Sequence, residues 1–157
     1  MPSAPELQSI YAFVSHFDAL ATAGQPTEAQ FIALRDAGFE TVINLAPPDS
    51  TGALRDEDLI VEDLGMHYVC IPVRWEDPKA TDVSLFFAEM DARQKRERLF
   101  VHCIANKRVS AFLYLYHVLR EGVPETEARA RMRQIWEPNP VWQAFLHSQL
   151  TDGETNP

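Results

Sequence analysis

Apolar residues recur along this chain in two rhythms: short unbroken blocks, and longer stretches spaced by three and four. The blocks at 41–45 (TVINL), 68–73 (YVCIPV) and 99–102 (LFVH) read as buried strands. Residues 10–17 read as a further strand or an extended lead-in. Helical spacing starts after Thr27, where Thr27-x-x-Gln30 forms a capping box. Phe31, Ile32, Leu34 and Ala37 then give that helix an apolar side, and Gly38 ends it. Residues 56–64 read as a short acidic helix closed by Gly65. Residues 82–98 read as a long helix buried through Val83, Leu85, Phe86, Phe87 and Met90. Residues 109–121 are almost wholly apolar and long enough for a core helix. After Gly122-Val123-Pro124, residues 125–136 form a basic amphipathic helix. Pro138-Asn139-Pro140 separates it from a last helix at 141–150, and the tail at 151–157 is expected to be disordered.

Strands alternating with helices imply an α/β fold: a four- or five-stranded, mainly parallel sheet with helices on both faces. A chain of 157 residues with 46% hydrophobic content suits a single domain, placed at residues 1–150. No run of 18 apolar residues occurs, which excludes a helical membrane span. The start, MPSAPELQSIYAF, shows no basic segment followed by a leucine-rich stretch and a cleavage site, so a cytoplasmic protein is expected. Two cysteines do not make a disulfide framework and point to free thiols in a reducing compartment.

The net charge of −9 argues against nucleic acid as a general partner. It is unevenly spread: residues 1–92 carry 4 basic and 16 acidic side chains, whereas residues 93–133 carry 10 basic and 4 acidic. The run Arg93-Gln94-Lys95-Arg96-Glu97-Arg98 reads as a solvated helix face. The rest of the basic third includes the stretch with the most chemistry.

That stretch is LFVHCIANKRVS, residues 99–110. A strand, a tight loop and a helix N-terminus make an anion site, because free backbone N–H groups converge there and the helix dipole favours negative charge. Cys103 opens the loop, where the same amides stabilise a thiolate. Arg108 closes it, with a fork that holds two oxygens of a phosphate. A Cys-x4-Arg spacing alone is weak; the flanking strand and helix, with the Asp77-Pro78 loop upstream, make function the better reading. Cys70, inside a strand, reads as core; a redox pair with Cys103 requires their strands to be adjacent. His16, His67, His117 and His147 lie on different elements without ligand spacing, so no metal and no cofactor is expected. Trp136 and Trp142 read as packing residues.

This order of elements resembles the cysteine-dependent phosphatases of the dual-specificity type, within the protein tyrosine phosphatase superfamily. Over residues 24–45, GQPTE followed by AGFETVINL is similar to a small bacterial phosphatase-like branch of unassigned substrate. Ile71-Pro72-Val73 before an Asp-Pro loop looks like the superfamily's general-acid loop. The resemblance, which runs over about residues 24–119, implies a dual-specificity phosphatase-like fold and a phosphate monoesterase working through a cysteinyl-phosphate. It makes Cys103 the nucleophile, Arg108 the clamp on phosphoryl oxygens and Asp77 the general acid, with Glu76 and Asp82 as competitors for that acid role. It casts Ile104, Ala105, Asn106 and Lys107 as substrate-binding loop residues. His102 would hold the loop by hydrogen bonds, Asn44 would brace it or merely cap a strand end, and Ser110 would assist the departing thiolate. The partner implied is a phosphorylated protein or small molecule.

The family places five residues between cysteine and arginine, commonly with a glycine; here Ile104-Ala105-Asn106-Lys107 is four, with none. Asn106 is expected to take the left-handed conformation a glycine would supply, and Lys107 to point inward as a second cation. A tighter ring predicts slower turnover. It also raises two alternatives: a rhodanese-like sulfurtransferase that carries sulfur as a Cys103 persulfide, and a phosphate-binding module without turnover.

Overall fold

Strand β5 (Leu99–His102) is the spine of the sheet, with β2 (Leu20–Ala23) parallel to it on one side and β3 (Thr41–Asn44) parallel on the other. Beyond β3 lies β4 (His67–Cys70), also parallel, and beyond β2 lies the antiparallel edge strand β1 (Val14–Phe17). The order is therefore β1-β2-β5-β3-β4. The computed structural model describes residues 7–17 and 19–155. The helices are α1 (Glu28–Asp36), α2 (Glu57–Asp63), α3 (Ala80–Arg93), α4 (Lys107–Leu119), α5 (Glu125–Arg133) and α6 (Pro140–Thr155).

Period-two alternation along β5 divides the core. Leu99 and Val101 join Leu20 and Ile43 on the side covered by α3, α4, α5 and α6. Phe100 joins Ala21 and Val42 on the other side, under Phe31 and Leu34 of α1 and Val61 of α2. His102 follows Phe100: its ring lies 5.8 Å from those of Phe100 and Phe31. Cys103, one residue on, belongs to the first side. The parallel registers set Ala23, His102, Asn44 and Cys70 in one row at the carboxyl ends of four strands. In open parallel sheets that edge is where ligands bind.

The fold agrees with the expected α/β class, and several local readings shift. Leu20–Ala23 is a strand although its sequence, LATA, carries no β-branched run; its pairing with β5 supplies what propensity does not. Ile32 and Leu85 were expected inward and are exposed. The buried faces run through Phe31 and Leu34, and through Val83, Phe86, Phe87 and Met90, and both residues fall about 100° or more off those stripes. Helix α3 stops at Arg93, five residues early, because the chain must turn to enter β5. Lys95 takes φ +73° there. Arg93 pairs with Glu89 and Glu97, and the Arg98 guanidinium lies 4.7 Å from the Phe39 ring centre, so this basic run is no solvated helix face. Helix α6 runs on through Thr155 rather than ending at Leu150, with the Thr151 hydroxyl donating to the His147 carbonyl at 3.0 Å. Residues 156 and 157 of the expected tail lie outside the described residues.

The redox pair of Cys70 and Cys103 is ruled out by the strand order. β3 stands between β4 and β5, and two inter-strand steps of about 4.8 Å exceed the roughly 7 Å Cα reach of a disulfide. Both thiols are free. Among the described residues, no helix is long and apolar enough to cross a membrane, and no group of three His, Cys, Asp or Glu side chains is placed to hold a metal ion.

Candidate active site

Cys103 is the first residue beyond β5 and is fully buried. Its N–H donates to the Ala23 carbonyl (3.3 Å) and its carbonyl accepts from His102 Nδ1 (2.9 Å), so both of its peptide groups are oriented before the loop begins. The β2 end holds the outer side of the loop. Gln25 N–H donates to the Ile104 carbonyl at 3.0 Å, and a Cβ on Gly24 would press into that same oxygen. Only glycine permits so close an approach. Asn106 reverses the chain at φ +62°, ψ +4°, the left-handed conformation expected of it, and α4 begins at the next residue. Its Nδ2 donates to the Ala12 carbonyl (2.9 Å) and the Thr22 hydroxyl (3.2 Å), which ties the loop to the first strands. Among the described residues no backbone carbonyl accepts from the N–H groups of Ile104, Ala105 or Lys107. Free amides at the start of a 13-residue helix are what an anion needs.

Arg108 is buried in the first turn of α4, with Nη1 donating to the Val73 carbonyl at 3.0 Å. Its guanidinium lies 5.9 Å from the ring centre of Trp75. Held on one nitrogen, the fork keeps its other N–H donors available. Trp75 in turn belongs to a cluster with Trp136 and Trp142, at ring separations of 5.2 and 5.8 Å, and its carbonyl accepts from Trp142 Nε1 at 2.9 Å. Val73 and Trp75 thus fasten the start of the Asp77 loop to Arg108. Asp77 itself is exposed and paired with Lys79 at 2.8 Å. Of its competitors, Glu76 is exposed. Asp82 is engaged as a helix cap, accepting from the Lys79 N–H at 3.1 Å; burial pushes its carboxyl up, against that hydrogen bond and the Lys79 charge.

Beneath the loop lies a buried polar network that sequence reading missed. His102 Nε2 meets Glu57 Oε2 at 2.7 Å, while Nδ1 faces the Cys103 carbonyl. Glu57 Oε1 accepts from Gln25 Nε2 at 2.6 Å, and the Tyr68 phenol stands near this carboxylate. Burial alone would raise the Glu57 carboxyl, but the His102 charge and the bonds from His102 and Gln25, with Tyr68 nearby, outweigh it and hold it below the usual range. Two acceptors facing one ring require two N–H donors, so a proton sits between His102 and Glu57. Burial, then the Glu57 charge, push the Tyr68 phenol up, and Tyr68 accepts from Asn44 Nδ2 at 3.0 Å. The same two causes push the Cys70 thiol up.

Asn44 Oδ1 accepts from the Ala46 N–H at 2.9 Å. Its side chain therefore secures the turn after β3 and Tyr68; among the described residues it makes no hydrogen bond to the nucleophile loop itself, and its backbone stands in register with His102. The Ser110 hydroxyl donates to the Lys107 carbonyl at 2.9 Å, inside the first turn of α4. Lys107, expected to point inward, lays its ammonium 5.7 Å from the Trp136 ring centre. Glu57 was hidden among acidic neighbours in the run DEDL, and Gln25 and Tyr68 carry no motif. Trp75 did leave a signal: one large aromatic within the polar stretch RWEDPK.

With this geometry, the chain is similar to the DUF442 protein of Shewanella putrefaciens CN-32, which carries a phosphatase assignment. The two are 40% identical over 96% of this chain and 98% of that one, with a TM-score of 0.83. The fold also matches the core catalytic domain of the PP-IP phosphatase SIW14 of S. cerevisiae (13% identity, 94% and 96% coverage, TM-score 0.70). It likewise matches P. aeruginosa TpbA, solved in complex with phosphotyrosine (14% identity, 83% and 74% coverage, TM-score 0.65). No protein-family model and no curated protein matches the chain.

Proposed function

Since the chain belongs to the DUF442 family, within the protein tyrosine phosphatase-like superfamily, we propose that it hydrolyses phosphate monoesters through a cysteinyl-phosphate. The observation that carries this reading is the loop itself: a buried cysteine, unpaired amides and a buried arginine fork converge at the carboxyl edge of the sheet. In the first step the Cys103 thiolate attacks phosphorus, a P–S bond forms and the ester P–O bond breaks. Asp77 gives its proton to the leaving oxygen. In the second step water attacks phosphorus and loses a proton to Asp77, the P–S bond breaks, and inorganic phosphate and thiolate are released. Arg108 and the loop amides of Ile104, Ala105, Asn106 and Lys107 carry the charge that spreads over the phosphoryl oxygens. Ser110 assists the departing thiolate by turning its hydroxyl from the Lys107 carbonyl.

His102 and Glu57 act through the loop and not on substrate. An imidazole held between the Glu57 carboxylate and the Cys103 carbonyl fixes that peptide, so the following N–H groups face the anion. The phosphotyrosine complex of TpbA and the PP-IP activity of SIW14 make both aryl phosphates and phosphorylated small molecules reasonable substrates to test.

The test is release of phosphate from an activated aryl phosphate by the purified protein and by Cys103→Ser. Thiosulfate-to-cyanide sulfur transfer is measured beside it. Cysteine-dependent phosphate release is expected. Sulfur transfer without phosphate release would replace this reading with the sulfurtransferase, and silence in both would leave a phosphate-binding module.

A further inference from the structure

Away from Cys103, Arg108 and Asp77, none of which lines it, a cavity of about 410 Å³ opens between β1, β2, α4 and α5. Its lining is apolar at Val14, Leu113, Ala128, Met132 and Ile135. It also includes His16 of β1, His117 of α4 and Arg131 of α5, three side chains able to carry positive charge. The rings of His16 and His117 lie 6.4 Å apart. His117 is 95% buried by its 5% relative exposure, and its Nδ1 meets Glu121 at 2.6 Å. Its Nε2 is buried with no hydrogen-bond partner among the described residues. A buried ring nitrogen without a partner costs free energy unless something bonds to it. His16 bonds through Nε2 to the Thr22 hydroxyl at 2.9 Å. Arg131, half-exposed, is held to Glu127 at 2.7 Å. Tyr114 also lines the cavity, with its hydroxyl donating to Glu125.

We propose that this cavity is a binding site for a small organic anion, a single acidic head on an apolar body. The head would meet His16, Arg131 and, with its ring charged so that this nitrogen donates, the unpartnered Nε2 of His117, while the body lies along Leu113, Met132 and Ile135. Among the described residues no negative side chain lines the cavity; Glu121 and Glu127, which pair with His117 and Arg131, lie outside its lining. Burial, then the His117 and Arg131 charges, hold His16 down at about 4. An anion beside it favours the charged ring, so binding takes up a proton as pH falls toward the His16 value of about 4, and affinity rises in the same direction.

Occupancy reaches the nucleophile loop along a short path. Thr22, whose hydroxyl faces His16, also accepts from Nδ2 of Asn106, the left-handed residue that ends the loop. Ser110 lines the cavity and donates to the Lys107 carbonyl. A proton gained at His16 Nε2 would make that nitrogen the donor to the Thr22 hydroxyl, which would then accept from His16 as well as from Asn106 Nδ2.

The experiment titrates the full chain with benzenesulfonate, which stays anionic throughout, and with neutral benzenesulfonamide of nearly the same shape. Calorimetry and histidine ring NMR are recorded with and without saturating orthovanadate. Benzenesulfonate is expected to bind with vanadate present and to shift the His16 and His117 ring signals. It should bind about tenfold or more tighter than the sulfonamide, gain affinity from pH 7 to pH 5, and weaken about tenfold in Arg131→Gln and His117→Phe. Arg131 is at the surface, so its variant keeps the fold if the His117 variant does not. Equal binding of the two probes, no histidine shifts, or binding abolished by vanadate would overturn the assignment. These readouts use no turnover, so they stand or fall apart from the phosphatase reading.

Discussion

Glu57 and His102 meet at 2.7 Å in the interior, 45 residues apart in sequence, one position before the cysteine that opens the anion loop. The imidazole spans the gap between an acidic helix on one side of the sheet and the peptide of Cys103. A second route from α2 runs through Gln25, whose side chain donates to Glu57 and whose N–H donates to the Ile104 carbonyl.

Glu57→Gln should leave a buried imidazole without its counter-charge. Breaking such a pair by removing one partner costs about 3–5 kcal/mol, read as a lower urea midpoint. Turnover should fall with it, while the Glu57→Asp protein recovers part of both. Since the folded state holds the Glu57 carboxyl below its usual 4.5, its contribution is complete above that unfolded value and is lost as pH falls through the lower folded one. Stability profiles of the parent and Glu57→Gln should therefore converge in that acidic window. Parallel profiles down to the acid limit would contradict the pairing.

Arg108→Lys should cost roughly 10²–10³-fold in kcat/KM on an aryl phosphate, because an ammonium is a point charge and cannot present two parallel donors. It also loses the guanidinium that lies 5.9 Å from the Trp75 ring centre. A loss under tenfold would show that the amides alone carry the phosphoryl oxygens.

Asp77→Asn should reduce turnover about 10²-fold or more on esters with poor leaving groups and far less on activated aryl esters. Its present partner, Lys79, has its ammonium favoured by the Asp77 hydrogen bond and charge, so Lys79→Ala should release the carboxylate without destroying activity. Equal losses on good and poor leaving groups would move the acid role to Glu76; Asp82 is already committed to the Lys79 N–H.

Gly24→Ala should be disproportionately harmful for so small a change. Its methyl would press into the Ile104 carbonyl that Gln25 holds, and overpacking of this kind costs about 1–3 kcal/mol. Displacement of the loop should show as a rise in the inhibition constant of orthovanadate larger than the change in stability explains.

How much of this was legible depended on distance along the chain. The Thr27–Gln30 capping box forms as read, with both reciprocal bonds near 3 Å, because its partners are three residues apart. The left-handed turn at Asn106 and the Cys103-to-Arg108 loop are likewise local: a strand run, an asparagine and an apolar helix specify them in a dozen residues. The inward-facing Lys107 failed because Trp136, 29 residues on, offers its ring, and no local pattern announces that. Leu85 and Ile32 failed because apolar identity is not position; helical phase set by Phe86 and Phe31 decided which face was buried.

Sequence alone determined the class of fold, the strand–loop–helix that carries Cys103, and the chemistry that cysteine and arginine bring to it. Those features follow from periodicity, propensity and capping, which act over a few residues. Tertiary structure alone decided that β5 lies between β2 and β3, and from that order came the rest. It set Gly24 against Ile104, Glu57 under His102, β3 between the two cysteines, and His16, His117 and Arg131 around one cavity. Each of those contacts joins segments far apart in the chain, and parallel pairing depends on what the whole core can bury rather than on the strands' own residues.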